Sequence, residues 1–161
     1  MTGLPRLIAE ALACLGAAEC ANGDASNGIQ HLHEGLDIRR SIGSPRSLAY
    51  ELSIYLNALL DAGMDDATQA TARELMPLYD ASPNHQRFPG YVALALVRAA
   101  RARGDRVEEE RLMQAGRRSV AYAISKLTDA QDRAAFSALA HNRELQPPIE
   151  IEAPAKTRAY P

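Results

Sequence analysis

Three glycines constrain this chain more than any other feature. Gly23, Gly63 and Gly104 sit in the stretches Asn22-Gly23-Asp24, Ala62-Gly63-Met64-Asp65 and Arg103-Gly104-Asp105, spaced 40 and then 41 residues apart. Each separates two stretches with helical periodicity. A tight turn between antiparallel helices needs a residue that tolerates the left-handed conformation, which glycine does without steric cost. Three such turns at near-constant spacing predict three helical hairpins stacked side by side, at about residues 4–43, 45–82 and 88–127.

The composition favours helices. Alanine is abundant, and aromatics are few, with no Trp, two Phe and six Tyr. Small residues with high helix propensity let helices pack closely, so an all-α domain is expected. A chain of 161 residues is long enough to bury one real core. Its net charge of -2 gives no pull towards nucleic acid or an anionic membrane. No apolar run approaches the ~20 residues of a membrane span. Arg6 and Glu10 interrupt the N-terminal apolar run, and no basic leader precedes it, which argues against a signal peptide. Cys14 and Cys20 fall on one helix, roughly 9 Å apart along its axis, too far for a bridge. They are expected as free, buried thiols in a reducing, cytoplasmic setting.

In chain order, the first helix runs from Leu4 to Ala21, with the apolar stripe Leu4, Ile8, Leu12 and Leu15. The second, Ala25 to Ile42, is capped by Asp24 and ends with Arg39 and Arg40, where cations complement the helix dipole. The third opens at Ser44-Pro45, and the fourth near Asp65 or Asp66. Pro77 should kink or shorten the fourth. Residues 81–89 read as a loop. The fifth helix runs from Gly90 to Arg103 and the sixth from Arg106 to Leu127, with Val107 and Leu112 among its apolar positions. A seventh helix over 128–141, carrying Phe136 and Leu139, is expected to cap the last hairpin. From Pro147 to Pro161 the chain is Pro-rich and without period, and a flexible tail is expected.

Superposing the three glycines aligns Leu12, Leu52 and Ala93, then Leu15, Tyr55 and Leu96, then Ala18, Ala58 and Ala99. Pro5-Arg6 matches Pro45-Arg46. This pattern resembles tetratricopeptide-like repeats in a variant with a longer period. Gly16 and Gly23 fall where that family places its packing and turn glycines, and Leu12 and Leu15 where it places Trp and Leu. Glu19 departs from its Tyr, and Leu56 and Val97 replace the packing glycine in later repeats. The resemblance covers residues 4–127 and implies a right-handed superhelix. The closing segment, Thr128 to Phe136 and then His141 to Leu145, is similar to the end of repeat arrays in large bacterial signalling ATPases and transcriptional regulators. No nucleotide-binding or DNA-binding motif accompanies it.

Candidate chemistry is sparse. His31, His33, Glu34 and Asp37 hint at metal, but His31 and His33, two apart on a helix, point to different faces, and His33 with Asp37, four apart, offers only two ligands on an exposed face, so no metal site is expected. No base is placed by any motif beside Cys14, and no phosphate-binding glycine loop occurs. Asp61, Asp65 and Asp66 are explained by helix capping. Arg98, Arg101, Arg103 and Arg106 form a basic run that Glu108, Glu109 and Glu110 partly neutralise, so a nucleic-acid surface is not expected.

In stacked hairpins of this family the first helix of each lines the concave face. The resemblance therefore places Tyr50, Asn57 and Asp61 there from the second repeat, and Tyr91, Arg98 and Arg101 from the third. Aromatic and Arg side chains dominate interface hot spots. The expectation is a scaffold or regulatory module that binds a peptide or partner domain, without catalysis or cofactor. The alternative is a small-ligand sensor or enzyme with a pocket in the same groove. Exposed apolar ends would also favour a homodimer.

Overall fold

The computed structural model describes residues 3–145, and the tail expected from Pro147 lies outside them. The described residues are all-helical, without a strand. The helices are α1 (Leu4–Ala21), α2 (Ala25–Ile42), α3 (Pro45–Asp61), α4 (Asp65–Ala81), α5 (Pro89–Ala102), α6 (Arg106–Ser125), α7 (Ala130–Ala138) and α8 (Ala140–Leu145). A short 3-10 turn, Pro83–His85, lies between α4 and α5.

The three glycine turns share one hydrogen-bond pattern. Gly23, Gly63 and Gly104 have φ of 90°, 67° and 72°. In each, the glycine N–H donates three residues back, at 3.1, 3.2 and 3.0 Å, and the next N–H donates five residues back, at 2.9, 3.0 and 3.0 Å. These paired bonds satisfy helix-end carbonyls that would otherwise lack partners. Asp24 and Asp105 then cap the following helix through Asn27 N and Glu108 N. Met64, at the equivalent place, offers no side-chain cap, so Asp65 and Asp66 act from inside the first turn of α4 through its dipole.

Across these turns α1 packs on α2, α3 on α4 and α5 on α6. The first helices also touch in series, α1 with α3 and α3 with α5. The main core fills α3 to α6 with Leu52, Leu56, Leu75, Tyr79, Val92, Leu96 and Leu112, all fully buried. A smaller cluster of Ala13, Leu32 and Ala58 joins the first hairpin to α3.

Several expectations are corrected. Leu4, Ile8 and Leu15 do not face the core; they are 61%, 42% and 46% exposed. α1 instead buries Ala9, Ala13 and Gly16. The reason is closeness: a Cβ placed on Gly16 would lie 2.5 Å from the Gly28 carbonyl oxygen, so the α1–α2 contact runs backbone to backbone. Val107 is exposed as well, and so is Cys14, which is not a buried thiol. Pro77 does not end α4, which continues to Ala81. Both Pro77 and Arg73, four residues earlier, lie on the exposed side, where water can take the carbonyl the proline leaves unbonded.

Arg39, expected in the last turns of α2 as a complement to the helix dipole, is 1% exposed. Its Nε and Nη2 both donate to Oε1 of buried Glu51, at 2.9 and 2.5 Å. The cap also differs. No residue of α7 is buried, whereas α8 buries Asn142 and Leu145 against Gly90 and Gly116. The small residues on α5 and α6 make the room that α8 fills.

Candidate functional site

α3 projects Tyr50, Ile54, Asn57 and Asp61 from one face, at intervals of four, three and four residues. α1 forms one wall of the resulting groove and α5 the other. Two hollows of about 300 Å³ each lie along it. The first is lined by Glu10, Cys14, Tyr50, Glu51, Arg87 and Phe88, among others. The second is lined by Cys20, Leu32, Ala58, Asp61 and Tyr91, among others. Ala17 and Ile54 belong to both, so the hollows are adjoining parts of one trough. Larger hollows of about 490 and 520 Å³ lie elsewhere, along α4 near Pro77 and around Gly43 to Arg46, but no aromatic side chain lines either.

The two tyrosines expected as equivalent positions meet. Their ring centroids are 5.9 Å apart, and Tyr50 also packs on Phe88 at 4.8 Å. Arg87 lies over both Tyr50 and Phe88, its Cζ 5.5 and 5.7 Å from their centroids. His141 of α8 meets the Tyr91 ring edge-on at 5.6 Å. Neither tyrosine is fully buried. Burial pushes both phenols above their ordinary pKa, opposed by Arg87 at Tyr50 and by Asn57 at Tyr91. Both are therefore neutral hydroxyl donors at physiological pH. Burial pushes the His141 imidazole down, towards its neutral form.

Beside the rings runs a polar rail. Arg98 donates through Nη1 to Asn57 Oδ1 and through Nη2 to Asp61 Oδ1, the latter at 2.6 Å. Asn57 is anchored in turn, its Nδ2 donating to the Ser53 carbonyl at 3.0 Å. Five of the six residues expected to share a surface are thus joined: Tyr50, Asn57, Asp61, Tyr91 and Arg98. Arg101 is not joined to them by any bond. Its Nε donates to Glu109 on α6 at 2.8 Å, which makes it a brace across the Gly104 turn. The sequence reading missed Ile54, Phe88, Arg87, Glu10, Glu51 and His141. Phe88 and Arg87 belong to a loop without periodicity, and His141 reaches Tyr91 only because α8 folds back.

The groove offers recognition chemistry: aromatic faces, phenol donors, a fixed Arg–carboxylate rail and an apolar ridge at Ile54. Cys20 adds little reactivity, since burial, and then neighbouring acids, push its thiol up and keep it protonated. Among the described residues no group of three or more His, Cys, Asp or Glu is placed to hold a metal ion. His31 Nδ1 lies 2.6 Å from Glu19 Oε2 on α1, while His33 turns to Asp37 at 3.5 Å.

The His31–Glu19 contact gives a pH prediction. The hydrogen bond to Glu19 raises the His31 pKa above its ordinary value, so the protonated ring favours the folded state. That contribution is complete below the unfolded imidazole pKa of about 6.5 and is lost as pH rises through the higher folded value. Denaturation midpoints of wild type and His31→Gln between about pH 5 and pH 8 should differ most at the acid end. A gap independent of pH would rule out this linkage.

Comparison of the chain with protein-family models, with curated proteins and with solved structures gives no match.

Proposed function

We propose that this chain is a tetratricopeptide-like repeat module, a right-handed superhelix of three hairpins, that binds an extended peptide or partner segment along the α1–α3–α5 groove. The observation that carries this is the meeting of Tyr50 and Tyr91 within a two-part trough. The recurrence of one turn pattern and the serial contact of α1, α3 and α5 support the repeat architecture. Aromatic anchors with a satisfied polar rim are what peptide grooves use. Because Arg98 is already held by Asn57 and Asp61, little side-chain order remains to be lost on binding.

Selection from a displayed random-peptide library tests the reading directly. Wild type should enrich a consensus with an apolar or aromatic residue, and the groove variant Tyr50→Ala/Tyr91→Ala should lose it. Hot-spot tyrosines are worth about 2 kcal/mol each, close to thirty-fold in affinity apiece. Arg73→Ala, on the outer face of α4, should leave binding unchanged. Equal affinity of the double variant for the selected peptides would overturn the groove.

A further inference from the structure

Along α1, Leu4, Leu7, Ile8, Ala11, Cys14, Leu15 and Ala18 fall within one arc of about 120° at 100° per residue. Every one of them is exposed. No charged residue interrupts the arc; Arg6, Glu10 and Glu19 lie beside it. A helix that turns its large apolar side chains outward while burying Ala9, Ala13 and Gly16 inverts the usual arrangement. A contiguous apolar strip with a polar rim marks a contact surface.

The repeat itself shows what covers such a face. Forty residues beyond Ala11 and Leu15 stand Glu51 and Tyr55 of α3. Both meet α2, Glu51 through Arg39 and Tyr55 through His33, with ring centroids 6.0 Å apart. In α5 the equivalents are Val92 and Leu96, at 0% and 1% exposure on a helix that packs against α4. In the second repeat these columns meet α2 and in the third they are buried; in the first, no helix among the described residues covers them. The far end of the stack is closed, since α8 seats Leu145 on Gly116 and Asn142 on Gly90. A second copy therefore cannot add α1 to that end without displacing α8.

We propose that two copies of this chain pair through α1, antiparallel about a two-fold axis at Ala11. In this register Leu4 lies opposite the partner's Ala18, Ile8 opposite the partner's Cys14 and Leu7 opposite the partner's Leu15. Large side chains in one half meet mostly small ones in the other, and Ala11 at the axis permits close approach. The interface is isologous, as a two-fold pair requires. One helix face is at the small end of specific interfaces, so the dimer exchanges with monomer on dilution.

Sedimentation of the full chain should give twice the protomer mass at high micromolar concentration. Leu15→Glu and Ile8→Glu should each return it to one protomer mass with unchanged helical circular dichroism, because both side chains are outside the protomer core. In a Cys14→Ser/Cys20→Ser background, Ala11→Cys should form a disulfide-linked dimer on mild oxidation. Ala18→Cys should not, since its two copies would lie ~21 Å apart along the axis. A monomer at submillimolar concentration, a dimer that survives Leu15→Glu, or cross-linking through Ala18→Cys but not Ala11→Cys would each overturn the pairing. Cys14 also lines the first hollow of the groove, so peptide binding is measured with both cysteines intact and does not decide this result.

Discussion

Replacing Arg39 with methionine should destabilise the fold by about 3–5 kcal/mol, a large share of a domain's stability. Arg39 is 1% exposed and gives two hydrogen bonds to Glu51 Oε1. Glu51 is itself buried, and its second oxygen, Oε2, has no hydrogen-bond partner among the described residues. Removing the guanidinium takes away both hydrogen bonds to Oε1 and the paired charge of a buried carboxylate. The double variant Arg39→Met/Glu51→Leu should recover most of the loss, because an apolar pair of similar size has no charge to desolvate. Urea denaturation of wild type, both single variants and the double variant measures this coupling. A single-variant loss below about 1 kcal/mol, as for an exposed ion pair, would mean that water reaches the site.

Leu145→Ala should cost about 2–5 kcal/mol, the range for truncating a fully buried leucine. Leu145 is 0% exposed although it ends a six-residue helix. It fills the space over Gly116, its carbonyl accepts from Arg117 Nε at 2.8 Å, and the neighbouring Asn142 donates to the Phe136 carbonyl at 2.7 Å. Leu139→Ala, at a side chain 41% exposed, should fall within about 0.5 kcal/mol of wild type. Thermal or urea melts of the two variants therefore decide which segment closes the stack. If Leu139→Ala proves the more damaging, the junction between α7 and α8 closes the stack and Leu145 does not. The same melts bear on the groove, since α8 also brings His141 to the Tyr91 ring.

Local signals were readable because their causes are local. A glycine at positive φ, an aspartate ahead of a helix and a proline at a first helical position each act through bonds a few residues away. The helices consequently lie close to where periodicity places them. The groove was legible in part for a related reason: Tyr50 and Tyr91 are equivalent in the repeat, and equivalent positions on first helices come to face one surface. Arg101 failed the same reasoning because Glu109, eight residues on, was a nearer partner across the turn. Phe88 and Arg87 carried no periodicity that could have assigned them to the site.

By itself, the sequence determined an all-helical chain punctuated by three recurring glycine turns, since turn chemistry and helical period depend only on near neighbours. Only the tertiary structure decided which face of each helix turns inward. On α1 hydrophobicity favoured the Leu4–Ile8–Leu15 side, but Gly16 and Gly28 allow an approach so close that the small side wins the interior. The same long-range packing buried Arg39 with Glu51, seated α8 on Gly90 and Gly116, and left one apolar helix face outside.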